Sequence, residues 1–369
     1  MSNIRQVSSL DIHHYSEEAR GVFGSLPLSK IRAMIPPAVE LTDSSGENGI
    51  RYHLLGTQPH PNAYSDTDGA PISITGLEFG QNFDVGKYVV EEIIRIVGLK
   101  GGPRVVFPSV RFGSRRNIML SAENRAKVAQ GDYTPIVELR MRVLDSFVKD
   151  LKRSKLGNIA LGGNSQEASI AAQFAKMVAQ ELGDDAQVSL LSSEDPSLYG
   201  GLHSLNSELR RSPKQLARDF KGKGLEELTE LVQVLWKADI AQLSEAQGLS
   251  VDRKDSALEG LRIGLILDLA GLAISQGGVN KSLREGMANA DSFKALLGFV
   301  AARGKLTVVR AENSKILDQK GFNDILSIGA LLDIDGLSVR GLAVSGGHSY
   351  YNNPGAASYV WAHSSGISK

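Results

Sequence analysis

The segment Ile159–Gln166 (IALGGNSQ) contains residue types that together could perform nucleophilic chemistry. A short apolar strand enters two glycines, presents Ser165 after one further residue, and opens directly into an alanine-rich helix. A serine nucleophile requires this order, because its hydroxyl must stand on a tight turn above the strand ends with a helix N-terminus below it. The same order also fits an ordinary strand-to-helix turn in which Ser165 caps the helix.

A histidine late in the chain could supply the base that such a serine needs. His348 stands on the glycine-flanked loop Ser345–Ser349 (SGGHS), directly after the predicted strand Leu337–Val344. The carboxyl end of a late strand is well placed for a general base. The alternative is a surface-loop histidine without a role. The other histidines lie inside a predicted strand or in predicted loops and tails: His53, and His13, His14, His60, His203 and His363.

The elements that must position these residues alternate between strand and helix. Period-two and buried apolar patterns predict the strands, and helical spacing predicts the helices. This alternation argues for a mostly parallel, doubly wound sheet with helices on both faces. The predicted strands are 50–55, 71–79, 104–107, 158–161, 187–191, 306–310 and 337–344, and the predicted helices are 85–97, 136–151, 168–182 and 316–332.

The alternation stops in the second half of the chain. Residues 198–299 contain almost no β-branched runs and are rich in Leu, Ala, Glu, Lys and Gln, which predicts a helical insertion. The sequence therefore predicts a core formed by residues 1–197 and 300–369, interrupted by this insertion.

Composition excludes several classes of function. Lys and Arg total 41, as do Asp and Glu, so a chain of zero net charge has no general electrostatic reason to bind nucleic acid or an anionic membrane. The absence of cysteine removes disulfides, thiolate nucleophiles, iron–sulfur clusters and thiolate zinc sites. Phosphate-binding, dinucleotide-binding and zinc-protease motifs are also absent, so the sequence predicts neither a cofactor nor a metal.

Targeting signals are missing as well. The first twenty residues lack the unbroken apolar stretch of a secretory signal. Polar residues interrupt the most apolar later stretch, residues 258–274, which argues against a membrane span. The sequence therefore predicts a soluble, cytoplasmic protein.

The order of these features resembles the α/β-hydrolase superfamily. Over about residues 38–360 the chain runs through a strand, Gly-x-Ser, a helix, a strand, a helical insertion, a strand followed by an acid, and a strand followed by Gly-x-His. The resemblance implies that Ser165 is the nucleophile and His348 the base. It also implies that the insertion is a helical cap over the substrate pocket.

The resemblance further implies an oxyanion hole, the pair of amides that binds the negatively charged oxygen of a reaction intermediate. One amide would be that of Gln166, the residue after the serine. The other would come from the loop that begins at Gly80 and Gln81, after the strand 71–79.

Two positions depart from the family pattern. The elbow of the family reads Gly-x-Ser-x-Gly, and here Glu167 occupies the fifth position, where it would either splay the turn or point its carboxylate into the site. Ser314 stands about where the family most often has the aspartate of the catalytic triad.

The resemblance therefore leaves the triad acid open among several carboxylates. Glu312 is the nearest substitute for the usual aspartate. Glu194 and Asp195, after the preceding strand, are alternatives, and Asp318 is weaker because it lies within a predicted helix.

Three functions follow from these observations. The first is a serine hydrolase that cleaves an ester, thioester or amide of a small acyl substrate through an acyl-enzyme. The second is a non-catalytic protein of the same fold that binds a small ligand or a protein partner under its cap, which Glu167 and Ser314 favour. The third is a doubly wound binding domain outside this family, in which Ser165 and His348 would lie far apart.

Overall fold

The structure is a computed structural model, and it describes the central parts of the chain with gaps between them. The described residues are 4–7, 39–55, 72–76, 104–107, 118–150, 158–195, 197–198, 278–312, 317, 319–332, 339–345, 359–361 and 363–364.

Within these residues ten strands form one sheet. The order across the sheet is β1-β10-β9-β8-β7-β4-β5-β3-β2, and β6 pairs with β3. The bounds are β1 Ile4–Val7, β2 Val39–Thr42, β3 Gly49–Leu55, β4 Ile72–Gly76, β5 Arg104–Phe107, β6 Ile118–Met119, β7 Asn158–Asn164, β8 Gln187–Ser193, β9 Lys305–Ala311 and β10 Val339–Val344.

All pairs from β1 to β5 along this order are parallel, which confirms the predicted mostly parallel sheet. β3 is the exception, because it runs antiparallel to β2, β5 and β6. For the pairing of β3 with β2, the reason is the short connection between the two strands. A short turn joins β2 to β3, and the amide of Asp43 donates to the carbonyl of Asn48 across it at 2.8 Å. Strands joined by so short a connection must pair antiparallel.

Six α-helices with defined bounds flank the sheet in the described part of the chain, and residues 359–361 and 363–364 are also helical. They are α1 Ala122–Ala129, α2 Thr134–Asp150, α3 Gln166–Leu182, α4 Val279–Asn289, α5 Ser292–Ala301 and α6 Gln319–Leu332. The predictions for 136–151, 168–182 and 316–332 are confirmed to within a few residues. The predicted helix 85–97 lies outside the described residues.

The core lies on both faces of the sheet, because successive residues of a strand point to opposite sides. On β7, Ile159 and Leu161 join the large apolar cluster under the helices, together with Phe174 of α3. Ala160, between them, joins a second cluster that includes Trp361. The sheet is therefore covered on both faces, as the doubly wound prediction requires.

The insertion predicted at 198–299 lies largely outside the described residues. Its last part forms α4 and α5, and α5 contributes Leu296 and Phe299 to the same core cluster as α3. The division into core and cap stays a prediction. In the portion of the chain that the structure describes, no helix is both long and apolar enough to cross a membrane.

Candidate active site

Ser165 occupies a strained turn between β7 and α3. Its backbone has φ 54° and ψ −128°, a region that residues with a side chain rarely adopt. The Ser165 amide donates to the Ser193 carbonyl on β8 at 2.9 Å, and the Ala168 amide donates to the Ser165 carbonyl at 2.9 Å. An ordinary helix cap has extended backbone and a capping side-chain bond, but the Ser165 side chain makes no such bond. The geometry is that of an elbow.

Gly163 lets the helix approach the strand closely at this elbow. A Cβ atom on Gly163 would stand 2.3 Å from the Glu167 carbonyl oxygen, which is backbone and cannot move aside easily. On the other face, a Cβ atom on Gly162 would stand 2.2 Å from the Trp361 ring. Both glycines that precede the serine are therefore required by packing.

The N-terminus of α3 lies at the carboxyl end of β7, directly after Ser165. The amide N–H groups of the first helical turn have no acceptor within the helix, and the helix end carries a partial positive charge. Gln166 is the first residue of α3 and is buried. Its amide is thus directly beside Ser165, at the positive end of the helix. The predicted second donor, Gly80 or Gln81, lies outside the described residues.

Glu167 neither splays the turn nor stands unpaired. Its Oε2 accepts a hydrogen bond from Nη2 of Arg140 on α2 at 2.7 Å, and the two side chains are only 3% and 2% exposed. The Arg140 guanidinium lies over the ring of Phe107, 4.6 Å from its centroid. Burial raises the pKa of Glu167, and the charge and hydrogen bond of Arg140 oppose that rise. The carboxylate at the elbow is therefore held in a buried ion pair.

Glu312 follows β9 directly and has an exposed carboxylate. Its amide donates to the carbonyl of Val344 at the end of β10, at 2.9 Å. Its carboxylate accepts hydrogen bonds from Nε2 of Gln6 on β1 and from Oγ of Ser345, the latter at 3.2 Å. Ser345 lies three residues before His348 in the sequence, and His348 itself lies outside the described residues. Glu312 thus contacts Ser345, the last described residue before His348.

Glu194 has a structural partner at the end of β8. It is fully buried, and its Oε1 accepts a hydrogen bond from the amide of Ala311 at 2.5 Å. Its own amide donates to the carbonyl of Val309 at 3.0 Å. Both bonds connect the end of β8 to β9. The backbone of Glu194 has a φ of 52°.

Asp195 ties the same strand end to the helices. It is fully buried, and its Oδ1 accepts from Oγ of Ser169 at 2.7 Å and from the amide of Ser197 at 2.9 Å. Ser197 in turn donates its hydroxyl to the carbonyl of Met287 on α4 at 2.9 Å. Burial raises the pKa of Asp195 from 3.8 to about 6, although these hydrogen bonds oppose the rise.

Neither Arg140 nor Gln6 is among the site residues predicted from the sequence. Arg140 carried a usable signal, because it stands four residues after Ile136 and three before Val143, on the apolar stripe of its helix. A charged residue on such a stripe needs a buried partner. Gln6 carried no comparable signal, since its contact with Glu312 depends on a strand pairing between distant parts of the chain.

Comparisons with known proteins concern the fold that carries this site. No protein-family model and no curated protein sequence matches the chain. Among solved structures, an enol-lactonase from Burkholderia xenovorans is similar with a TM-score of 0.54 at 13% identity, covering 90% of this chain and 100% of that one. A hydrolase from Pseudomonas aeruginosa has a TM-score of 0.49 at 11% identity, with 88% and 97% of the two chains covered. At such identities a likeness shows the fold alone. This chain has the α/β-hydrolase fold, in a divergent form.

Proposed function

We propose that this chain is a serine hydrolase that cleaves an ester, thioester or amide of a small substrate, with Ser165 as the nucleophile. The observation that carries the proposal is the backbone of Ser165, with φ 54° and ψ −128° at the junction of β7 and α3. Such a conformation costs about 1–3 kcal/mol and persists only where the surrounding structure imposes it, most often at functional sites. β7 also lies in the middle of the sheet, where the ends of parallel strands converge.

The proposed mechanism proceeds through an acyl-enzyme. The Ser165 hydroxyl attacks the substrate carbonyl carbon while His348 accepts its proton. The carbonyl oxygen becomes an oxyanion that binds the amide of Gln166 and an amide of the Gly80–Gln81 loop. Collapse of this intermediate expels the alcohol, thiol or amine, which takes the proton from His348. Water, activated by the same histidine, then releases the acid and restores Ser165.

We propose Glu312 as the acid that orients His348. A triad acid must accept the second N–H of the imidazole. Glu312 is supported by its contact with Ser345, three residues before His348 in the sequence. Glu194 and Asp195 are less suitable, because the described contacts of their carboxylates are with Ala311 of β9 and with Ser169 and Ser197, not with a residue next to His348.

The predicted insertion 198–299 completes the proposal as a helical cap over the core 1–197 and 300–369, except for α5, whose Leu296 and Phe299 pack in the core cluster. A cap of this kind would bind the small acyl substrate against the strand ends. The competing proposal is a non-catalytic protein of this fold that binds a ligand under the cap. Ser314 favours it, since the usual acid is missing there.

The test compares hydrolysis of short-chain acyl esters and thioesters by the full chain and by Ser165→Ala. The proposal predicts that Ser165→Ala abolishes turnover and leaves the fold intact, as measured by thermal unfolding. Ser146→Ala, which changes an exposed serine on α2, is the matched control and should keep full turnover. Turnover that survives in Ser165→Ala would remove Ser165 from the mechanism, and no turnover in the unmodified chain would favour the non-catalytic protein.

A further inference from the structure

The ion pair between Glu167 and Arg140 raises a question about charge at the elbow. Glu167 is the residue directly after Gln166, so its carboxylate belongs to the same first turn of α3 as the proposed oxyanion-hole amide. A helix N-terminus stabilises one nearby negative charge through its free amides and its dipole. An unpaired carboxylate in that turn would compete with a developing oxyanion for the same positive potential and would repel it.

Arg140 is placed to cancel this charge. Its Nη2 lies 2.7 Å from Oε2 of Glu167, and the pair is almost completely withdrawn from water. Electrostatic interactions are strong in such surroundings because little solvent screens them, so an unbalanced charge there would be felt at the neighbouring helix end.

The guanidinium is also fixed in place by packing. It lies over the ring of Phe107, the last residue of β5, at 4.6 Å from the ring centroid. Stacking of a planar guanidinium on an aromatic face restricts its orientation. α2 and β5 therefore hold the cation at one position behind the elbow.

We propose that Arg140 is a positioning residue of the elbow: by neutralising Glu167 it allows the N-terminus of α3 to stabilise an oxyanion formed at Ser165. This inference rests on the proposed function, since it needs a reaction at Ser165. It also explains how the chain tolerates glutamate at the position where the family elbow has a small residue.

The experiment measures the rate at which a fluorophosphonate labels Ser165 in the full chain, at several pH values from neutral to alkaline. The reagent forms a bond between Ser165 Oγ and phosphorus while fluoride leaves, and its phosphoryl oxygen occupies the oxyanion hole. The variants are Arg140→Met, which leaves the carboxylate unpaired, Glu167→Gln, which leaves the cation unpaired, and the double variant Arg140→Met/Glu167→Gln, which carries neither charge. Arg142→Met is the control, because it removes an exposed arginine from the same helix.

The proposal predicts unequal effects of the two single changes. At a pH high enough to keep Glu167 ionised without its partner, Arg140→Met should slow labelling about tenfold or more, because a negative charge then opposes the oxyanion. Glu167→Gln, the double variant and Arg142→Met should each label within about threefold of the unmodified chain. A purely structural role would instead slow both single variants alike, since each breaks the same buried pair.

Two results would overturn the inference: labelling of Arg140→Met at the unmodified rate, or equal slowing in Arg140→Met and Glu167→Gln. If Arg140→Met fails to fold, the folded double variant decides, and a tenfold loss there contradicts charge cancellation. Failure of the proposed function looks different, because the unmodified chain itself would then not label at Ser165.

Discussion

Gly163 and Glu167 approach so closely that a Cβ atom on Gly163 would stand 2.3 Å from the Glu167 carbonyl oxygen and 2.5 Å from its carbonyl carbon. The end of β7 and the start of α3 thus meet at backbone distance on one side of Ser165. Because both contacting atoms are main-chain atoms, the clash could be relieved only by moving the helix away from the strand.

Gly163→Ala should therefore open the elbow. We expect a loss of stability of about 3 kcal/mol, in the range of severe core overpacking, and loss of any reaction at Ser165. Denaturant unfolding measures the first effect and ester hydrolysis the second. Gly278→Ala is the control, because a Cβ atom there meets nothing within 4 Å, and it should change stability by no more than about 0.5 kcal/mol. Equal stabilities of the two variants would contradict the close approach.

Stability should depend on pH through Asp195. Burial raises the pKa of this group from 3.8 to about 6, so the native protein binds its proton more tightly than the unfolded chain between those values. The contribution of Asp195 to the free energy of unfolding is therefore greatest at low pH, falls as pH rises through about 4 to 6, and is level above. Two pKa units correspond to about 3 kcal/mol, as an upper bound.

Asp195→Asn should remove this dependence, because an amide does not titrate and its oxygen still accepts from Ser169 and Ser197. Denaturant unfolding at pH 4, 5, 6 and 7 compares the variant with the unmodified chain, and the variant should gain relative stability as pH rises. Asp185→Asn changes an exposed carboxylate and serves as the control. A constant stability difference between Asp195→Asn and the unmodified chain at all four pH values would show that Asp195 does not titrate there.

Replacement of the three candidate acids should affect turnover unequally. Glu312→Gln should lower it by orders of magnitude, since loss of a triad acid costs roughly ten-thousandfold in the best-studied protease. Glu194→Gln and Asp195→Asn should keep turnover near that of the unmodified chain, because the Glu194 carboxylate contacts the Ala311 amide and the Asp195 carboxylate contacts Ser169 and Ser197, whereas Glu312 contacts Ser345. Steady-state ester hydrolysis provides the comparison.

The pattern of these rates also distinguishes other arrangements. Near-normal turnover in Glu312→Gln beside a collapse in one of the other two would move the acid to the loop after β8. Near-normal turnover in all three would indicate a serine–histidine dyad.

Local patterns predicted the fold class and the elbow, because both depend on short stretches of sequence. β5 lies at its predicted bounds, 104–107, since its apolar run is short and ends before a proline. β7 extends three residues beyond its prediction, to Asn164. Gly162 and Gly163 continue the pairing with β8, but glycine has no side chain to show a burial pattern.

Long-range contacts could not be predicted in this way. β1 is a four-residue strand whose partner is β10, so nothing near residues 4–7 indicates the pairing. α1 buries only Val128, and without an apolar stripe it gave no helical periodicity. The Arg140–Glu167 pair joins two helices, and its formation depends on how α2 packs against α3.

The location of the adduct after the full chain reacts with a fluorophosphonate tests whether Ser165 is the nucleophile. Peptide mass spectrometry identifies the modified residue. The proposed mechanism predicts one phosphonylated serine, Ser165, and no adduct in Ser165→Ala or after prior unfolding of the protein. An unmodified Ser165 in the folded chain, or an adduct that persists in Ser165→Ala, would contradict it.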